Sequence, residues 1–218
     1  MEINKDYLNS ILENLSLYRP FFHSESDFQH ELALFLSINC NKEIRLEKPF
    51  LNIPLNNFAT KKIKVELDIL LIKEKVGIEL KYKTINKNIS FNNEEFKLKN
   101  HGAQNLGRFD FFDDLRRLQI LKKNDRIDSG YVIFLTNDPL YWRPITRNNF
   151  SKEFSMEEGR HIKRNSILSW IGNPGENSVT SKRLGEFSKI EIDNDSSLVW
   201  NNYSKIEGNE FKHLIVEV

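Results

Sequence analysis

Residues 61–82 read KKIKVELDILLIKEKVGIELKY, and this stretch decides the fold. Over 61–68, apolar residues alternate with polar ones, which is the pattern of a strand with one covered face. Over 69–72 both faces are apolar, so the strand runs from a half-exposed region into a covered interior. The polar turn 73–75 and the alternating run 76–82 complete a predicted β-hairpin.

Helical spacing of apolar residues predicts three helices around this hairpin. They are expected over 4–17, 24–38 and 103–123, and Ser24 and Asp27 fit a capping box at the start of the second. Further strands are expected over 43–50 and 130–136, with short ones near 187–193, 198–203 and 211–217. Residues 84–100 are expected to form a polar, asparagine-rich loop, and Asn173-Pro174-Gly175 a turn.

The order of these elements predicts an α/β fold with a mixed sheet and helices on both faces of that sheet. A core is expected over about 24–136 and a β-rich C-terminal extension over about 140–218, within a single domain spanning 1–218. A chain of 218 residues buries roughly 70% of its unfolded-state surface. Such a core needs neither disulfides nor a structural metal.

The composition of the chain indicates its cellular compartment and the kinds of partner it could have. The single cysteine, Cys40, cannot form an internal disulfide, and no Cys/His spacing of the zinc-finger type occurs. The first residues lack the pattern of a secretion signal, and no apolar run approaches the length of a membrane span. We therefore expect a cytoplasmic protein without a membrane partner. Net charge is only +1, but basic residues predominate over 51–165, which suits either a phosphate backbone or an ordinary solvated surface.

Charged side chains meet the apolar part of the predicted hairpin. Asp68 lies where the first strand becomes apolar on both sides, a costly place for a carboxylate without a cation or strong donors nearby. On the paired strand, Glu79 and Lys81 are two residues apart and share a face. If the hairpin pairs in register around its turn, Asp68 lies on that same side, close to Glu79.

The second predicted helix supplies a fourth group. At about 100° per residue, its apolar arc spans Leu34, Ile38, Phe35 and Leu32, and Glu31 falls inside this arc. Three acids and a lysine match a known chemical need, because Mg²⁺ prefers oxygen ligands and commonly takes carboxylates, waters and a substrate phosphate. A metal held there would polarise the phosphate and activate a water, with the lysine stabilising developing negative charge.

Asp68, ten intervening residues and the tripeptide Glu79-Leu80-Lys81 together resemble the motif of the PD-(D/E)XK nuclease superfamily. The predicted order of elements over 24–136 also resembles the αβββαβ core of the restriction-endonuclease-like fold. The likeness covers roughly half of the chain and departs from the motif at Leu67, where proline often stands. It implies that Asp68, Glu79 and the Leu80 carbonyl bind the metal, that Lys81 assists the nucleophile and that Glu31 supports a metal directly or through water.

The resemblance implies a function as well. It predicts a Mg²⁺-dependent endonuclease, with Mn²⁺ as a substitute metal, that hydrolyses the phosphodiester bonds of DNA through a metal-activated water. RNA stays open as a substrate, and the setting is restriction-type defence or repair. A homodimer is compatible with this function, because the two strands of a duplex call for two active sites.

Residues beyond the hairpin are candidates for substrate contacts. Gln104 and Arg108 share a face of the third helix, and the superfamily uses polar groups of this helix to hold the substrate phosphate; they suit a plain surface position equally well. A second, basic group is interleaved with Trp142 and Trp170. It suits contacts with the nucleic acid backbone, with the tryptophans stacked on bases, or else an ordinary solvated surface. Its members are Arg143, Arg147, Arg160, Lys163 and Arg164.

Two other interpretations fit the same residues. A nucleic-acid-binding or assembly module could keep this fold without turnover, although the intact motif argues against it. The remaining interpretation is that the motif is accidental and that the protein is an interaction domain without a metal. Among the neighbouring charges, Glu66 is better explained as an exposed partner of Lys64 than as an accessory ligand, and Asp113 and Arg117 as a surface salt bridge.

Overall fold

Three α-helices and twelve strands form the described part of the chain, which comprises residues 3–55, 62–145, 150–172, 189–206 and 208–218 of a computed structural model. The helices are α1 (Lys5–Tyr18), α2 (Glu25–Cys40) and α3 (Gln104–Lys123). The strands are β1 (Ile44–Pro54), β2 (Lys62–Leu71), β3 (Val76–Lys83), β4 (Lys87–Phe91), β5 (Glu94–Leu98), β6 (Ser129–Thr136), β7 (His161–Ile162), β8 (Ile167–Ser169), β9 (Lys189–Glu191), β10 (Ser196–Ser197), β11 (Trp200–Ile206) and β12 (Asn209–Glu217).

Six strands form one mixed sheet in the order β1-β2-β3-β6-β12-β11. β3 and β6 are parallel, with Glu79 level with Val132 and Lys81 level with Phe134, and the other neighbours are antiparallel. The parallel connection contains α3, as such a connection requires a crossover. The predicted α/β fold with a mixed sheet is therefore confirmed.

Helices cover both faces of this sheet. α1 and α2 pack on one face, against a cluster that includes Ile78, Leu80 and Ile133. α3 packs on the other face, against Val132 and Phe134. Because side chains alternate along a strand, Glu79 and Lys81 point toward α3. In the described ranges no helix is long and apolar enough to cross a bilayer.

The sheet divides between β2 and β3. These strands pair over three positions only, the last of which joins Ile69 to Ile78. Beyond that pair β2 stays with β1, with Lys48 opposite Leu67 and Pro54 opposite Lys62. In the part of the chain that the structure describes, the backbone edge of β3 therefore has no strand beside it at Leu80 and Tyr82. We call this separation, beyond Ile69 and Ile78, the fork.

Helix α2 begins as predicted but is rotated from the predicted phase. The Ser24 side chain accepts a hydrogen bond from the Asp27 N–H at 3.1 Å, which confirms the cap. Leu34 and Ile38 are 53% and 70% exposed, so the predicted buried arc is wrong. The buried residues of α2 are Phe28, Gln29, Leu32, Ala33 and Leu36. Apolar residues lie almost all round this helix, so their spacing alone leaves its rotation undetermined.

The predicted loop over 84–100 is wrong, because it contains the hairpin β4–β5. Asn92 and Asn93 form its two-residue turn, both with positive φ (50° and 64°), a conformation that asparagine tolerates and that suits a tight hairpin. The inward-facing side chains are buried in the core beside α1 and α2, and they are Ile89, Phe96 and Leu98. The polar residues on the other face hid this alternation.

The C-terminal part contributes two strands to the sheet. The strands predicted near 198–203 and 211–217 are confirmed as β11 and β12, and β12 pairs with β6 while β11 forms the edge. Of the segment 187–193, the described part contains β9, which pairs with β8. The turn predicted at Asn173-Pro174-Gly175 lies outside the described residues.

His213 of β12 is fully buried beneath α1. Its Nε2 lies 2.9 Å from Oδ1 of Asn9, and Nδ1 has no hydrogen-bond partner among the described residues. Burial, together with the nearby Lys5 ammonium, lowers the pKa of His213 to about 4. The folded protein therefore holds this imidazole neutral at a pH where the unfolded chain protonates it.

We expect acid to destabilise the protein partly through His213. As pH falls from about 7.5 to about 5, the unfolded chain binds a proton that the folded chain cannot, which lowers the free energy of unfolding by about 2 kcal/mol. His213→Gln keeps a donor toward Asn9 but does not titrate, so its loss over this range should be smaller by that amount. Urea unfolding of both proteins at both pH values measures this difference, and equal losses would contradict the assignment.

Candidate active site

The carboxylate of Asp68 lies at the fork. Its Oδ2 accepts a hydrogen bond from the Leu80 N–H at 2.6 Å, a donor that the separation of the strands would otherwise leave unpaired. The Asp68 carbonyl accepts a second bond, from the Gln29 side chain of α2 at 2.8 Å. Burial raises the pKa of the Asp68 carboxyl, although the Leu80 N–H and Lys81 oppose this shift. Asp68 is therefore fixed against β3, as the hairpin register predicts.

Glu79 lies beneath α3 and is fully buried. Its Oε2 accepts a hydrogen bond from Arg117 at 2.7 Å, whereas its buried Oε1 has no hydrogen-bond partner in the described chain. The Asp68 and Glu79 carboxyls are close enough for each to affect the pKa of the other. Burial, followed by the carboxylates of Asp114 and Asp68, raises the pKa of Glu79 well above its ordinary value. The two motif acids therefore lie side by side.

Lys81 is an ammonium held by a carboxylate of α3. Its Nζ lies 2.6 Å from Oδ2 of Asp114 and donates to the Leu80 carbonyl at 3.0 Å. Burial opposes the charge, but Asp114 and Glu25 outweigh it and raise the pKa of Lys81 above its ordinary value. Arg117 links the two pairs, since its Nη2 also lies 2.8 Å from Asp114. Lys81 therefore stays protonated at neutral pH.

The helix acid of the site is Glu25, and the prediction that Glu31 joins the motif is wrong. Oε2 of Glu25 accepts a hydrogen bond from the Tyr82 N–H at 2.8 Å, at the second open position of the fork. Taking Phe28 as zero, Glu25 falls at about 60°, within the observed buried face, and Glu31 at about 300°, outside it. Glu31 instead lies 3.8 Å from Arg19, beside the exposed side chains of α2.

The chemical properties of this site are inferred from the charged side chains that form it. No family model, curated protein or solved structure matches this chain. Four carboxylates meet two cations around the fork, and they are Glu25, Asp68, Glu79 and Asp114 with Lys81 and Arg117. With all six groups ionised, the fork would carry an excess of two negative charges, which a divalent cation or two protons would neutralise.

The oxygen atoms of the fork fit a divalent cation. Among the described residues, no group of three or more His, Cys, Asp or Glu side chains forms a ready-made metal site. Asp68 and Glu79 provide two carboxylates, and one or two are what Mg²⁺ commonly takes from a protein. The carbonyl of Leu80 points to the fork with its N–H, and the unpaired Oε1 of Glu79 is an atom that a cation would satisfy.

Gln104 and Arg108 lie at the other end of α3 from the fork. Gln104 donates to Asp138 at 2.9 Å, and Arg108 donates to the Leu140 carbonyl at 2.6 Å and stacks on Tyr141. Both residues therefore hold the loop that follows β6. Gln104 is ten positions from Asp114, about 15 Å along the helix, so the structure does not place this pair beside the motif acids.

The predicted basic group over 143–164 is not one cluster. Arg160 is half-buried and donates to the carbonyls of Glu153 and Ser155, so its guanidinium holds its own loop. Arg143, Lys163 and Arg164 are exposed. Arg143 and Arg164 line different cavities, and Arg147 lies outside the described residues.

The two tryptophans interleaved with these residues have partners inside the protein. Trp170 packs in an aromatic cluster, 5.4 Å from the ring of Phe109 and 5.0 Å from that of Phe154. Trp142 lies 5.8 Å from Trp200. Their contacts stabilise the C-terminal part rather than leave two free faces for bases.

Sequence reasoning missed the α3 side of the site. The predicted surface salt bridge between Asp113 and Arg117 is wrong, because Arg117 pairs with Glu79 and Asp114 while Asp113 accepts hydrogen bonds from Arg116. A signal was present, since Asp114 and Arg117 lie four residues before Leu118 and Leu121 and thus share their buried face. Glu66 pairs with Lys64, as predicted.

We expect Arg117→Gln to destabilise the protein without added metal by about 3 kcal/mol, because buried Glu79 and Asp114 would then share a single cation. Lys123→Gln is the matched control, since Lys123 pairs with Asp193 at 2.7 Å but is 58% exposed, and an exposed pair contributes about 1 kcal/mol or less. Urea unfolding at neutral pH with EDTA measures both losses. Equal losses would show that the Glu79–Arg117 pair has no special role in stability.

Proposed function

We propose that this protein is a Mg²⁺-dependent nuclease that hydrolyses phosphodiester bonds of DNA at the fork. The observation that carries the proposal is the meeting of Asp68, Glu79 and the Leu80 backbone where two strands separate, with Lys81 beside them. The order of elements from α2 to β6 agrees with that expected from the resemblance to the PD-(D/E)XK superfamily, apart from the β4–β5 hairpin between β3 and α3. The basic excess over 51–165 suits a phosphate backbone.

The carboxylates of Asp68 and Glu79, with the Leu80 carbonyl, would hold the metal. When bound, Mg²⁺ supplies polarisation of the scissile phosphate and a water of lowered pKa. The Leu80 N–H holds Asp68 in place, and Arg117 holds Glu79. The two acids are therefore prevented from moving apart. Glu25 lies at the next open position of the β3 edge, where it accepts a hydrogen bond from the Tyr82 N–H, and its carboxylate would help to orient water at the site.

Lys81 acts in this proposal as a fixed positive charge. Its raised pKa keeps it from removing a proton from water at neutral pH. Held between Asp114 and the Leu80 carbonyl, its ammonium can stabilise the negative charge that develops on the phosphate oxygens. Asp114 touches neither substrate nor metal here and is a positioning residue for Lys81.

A non-catalytic nucleic-acid-binding module is the second candidate. The ion pairs of Glu79 with Arg117 and of Lys81 with Asp114 already neutralise part of the buried charge without a metal. The carboxylates of Asp68 and Glu25 likewise serve the backbone of β3. A fork that binds no divalent cation would favour this candidate.

We expect Asp68→Asn, Glu79→Gln and Lys81→Met each to lower the cleavage of DNA in Mg²⁺ by at least about 100-fold, because each removes charge from the reacting centre. Glu31→Gln is the matched control and should keep the activity of the wild type, since Glu31 contacts Arg19 instead. Single-turnover cleavage of duplex and single-stranded DNA and of RNA, with circular dichroism to verify folding, makes the comparison. Equal activity in all four variants, or none in the wild type, would refute the proposal.

Metal binding gives a test that does not depend on substrate. We expect Mn²⁺ or Mg²⁺ at about 100 times its dissociation constant to raise the free energy of unfolding of the wild type by about 2.7 kcal/mol. Asp68→Asn and Glu79→Gln should abolish this gain, and Glu31→Gln should retain it. Each protein is compared with itself in EDTA, so that a change in its basal stability does not enter. A metal-induced gain that survives in Asp68→Asn and Glu79→Gln would place the cation elsewhere.

A further inference from the structure

A second charged feature lies at the far ends of β3 and β6. It is a cavity of about 220 Å³, which we call the basic cavity. Its walls come from the residues that follow β3 and β6, from the loop at Trp142 and from the turn between β11 and β12. Three cations and one acid are among its lining residues, and they are Lys87, Arg143 and Lys212 with Glu210.

The cations of the basic cavity are available to a ligand. Lys87 and Arg143 are exposed, and within the described residues neither side chain makes an ion pair. Lys212 lies 3.9 Å from Glu210, a long and partly exposed contact, and its Nζ is 5.5 Å from the centre of the Trp142 ring. Among the described residues, the lining of the cavity therefore has a net positive charge.

The basic cavity opens on the same face of the sheet as the fork. Lys83, Thr136 and Lys212 are level with one another across β3, β6 and β12, and each is two residues from a side chain on the α3 face. Lys81 and Lys212 are separated by two residues along β3 and by two strand spacings across the sheet. The distance between their Cα atoms is therefore about 12 Å. Lys83 lies between them and is half-buried, so it adds a cation between the basic cavity and Lys81, which is itself paired with Asp114.

We propose that the basic cavity binds a backbone phosphate of the nucleic acid strand that enters the fork. The inference rests on the proposed function and extends it by assigning a substrate contact remote from the cleaved bond. A phosphate matches the net positive charge of the cavity lining, in which three cations meet one acid. A strand rather than a free ion matches the position of Lys83 between the cavity and the fork. Trp142 packs on Trp200 and under Lys212, so it orients the lysine and does not read a base.

The test measures binding without cleavage, on the full chain in EDTA. A short single-stranded oligodeoxynucleotide and, separately, inorganic phosphate are titrated while the three tryptophan indole N–H signals are followed by NMR. Trp142→Phe identifies the reporter signal. Arg143→Gln combined with Lys212→Gln removes two cations of the cavity, and Lys62→Gln combined with Lys189→Gln removes two exposed cations elsewhere as the matched control.

We expect the oligonucleotide to shift the Trp142 signal. The cavity double variant should bind about tenfold more weakly and its log–log salt slope should fall by about 1.4, whereas the control should change by less than about twofold. An equal change in both double variants, or no shift at Trp142, would overturn the assignment. A shift with inorganic phosphate but not with the oligonucleotide would also overturn it, by making a free anion the ligand.

The proposed function can fail independently of this inference. A wild type that binds the oligonucleotide at Trp142 but cuts nothing in Mg²⁺ would remove the nuclease and leave the cavity as a binding site of the second candidate. A wild type that cuts DNA while both double variants bind it equally would keep the nuclease and remove the cavity.

Discussion

The backbone of β3 needs hydrogen-bond partners where β2 leaves it, and this requirement shapes the fork. Leu80 and Tyr82 each present an N–H to a gap in the sheet, and a buried donor left unpaired costs about 1–3 kcal/mol. Carboxylates of Asp68 and Glu25 accept both bonds. The carboxylates that satisfy these backbone donors are thereby brought close together at the fork, where cations are needed to neutralise their negative charge. Arg117 and Lys81 supply two positive charges, so that two of the four carboxylates lack a matching cation among the described residues.

The alternation of apolar and polar residues over 61–82 predicts a large part of this arrangement. Alternation, turn and hairpin register are local properties, so the pairing of Ile69 with Ile78 and the closeness of Asp68 to Glu79 follow from the sequence. The opening of the fork does not, because the period of apolar residues is the same in a paired and an unpaired strand. The sequence indicates a short hairpin with an acid at its end, but it does not indicate that the two strands separate there.

Rotation of the helices sets the limit of the sequence analysis. α2 has apolar residues on nearly every side, so hydrophobic spacing permitted a phase that buries Glu31, whereas the hydrogen bonds of Glu25 and Gln29 to the fork fix a different one. In α3, the sequence predicts a surface pair of Arg117 with Asp113, because charged groups are seldom buried. The structure instead buries the neighbouring Asp114 and pairs it with Lys81 and with the half-buried Arg117, which also pairs with Glu79. The helical spacing to Leu118 and Leu121 indicates the buried face of these charges, but their partners come from a distant part of the chain and no local pattern identifies them.

The position of β6 in the sheet has a consequence for biosynthesis. β6 lies between β3, made more than forty residues earlier, and β12, which spans Asn209–Glu217. Until β12 has left the ribosome, the apolar strand Tyr131–Leu135 has one open edge and can pair with another chain. The nascent protein is therefore at its most aggregation-prone late in translation, when a chaperone that shields strand edges would have the largest effect on its yield.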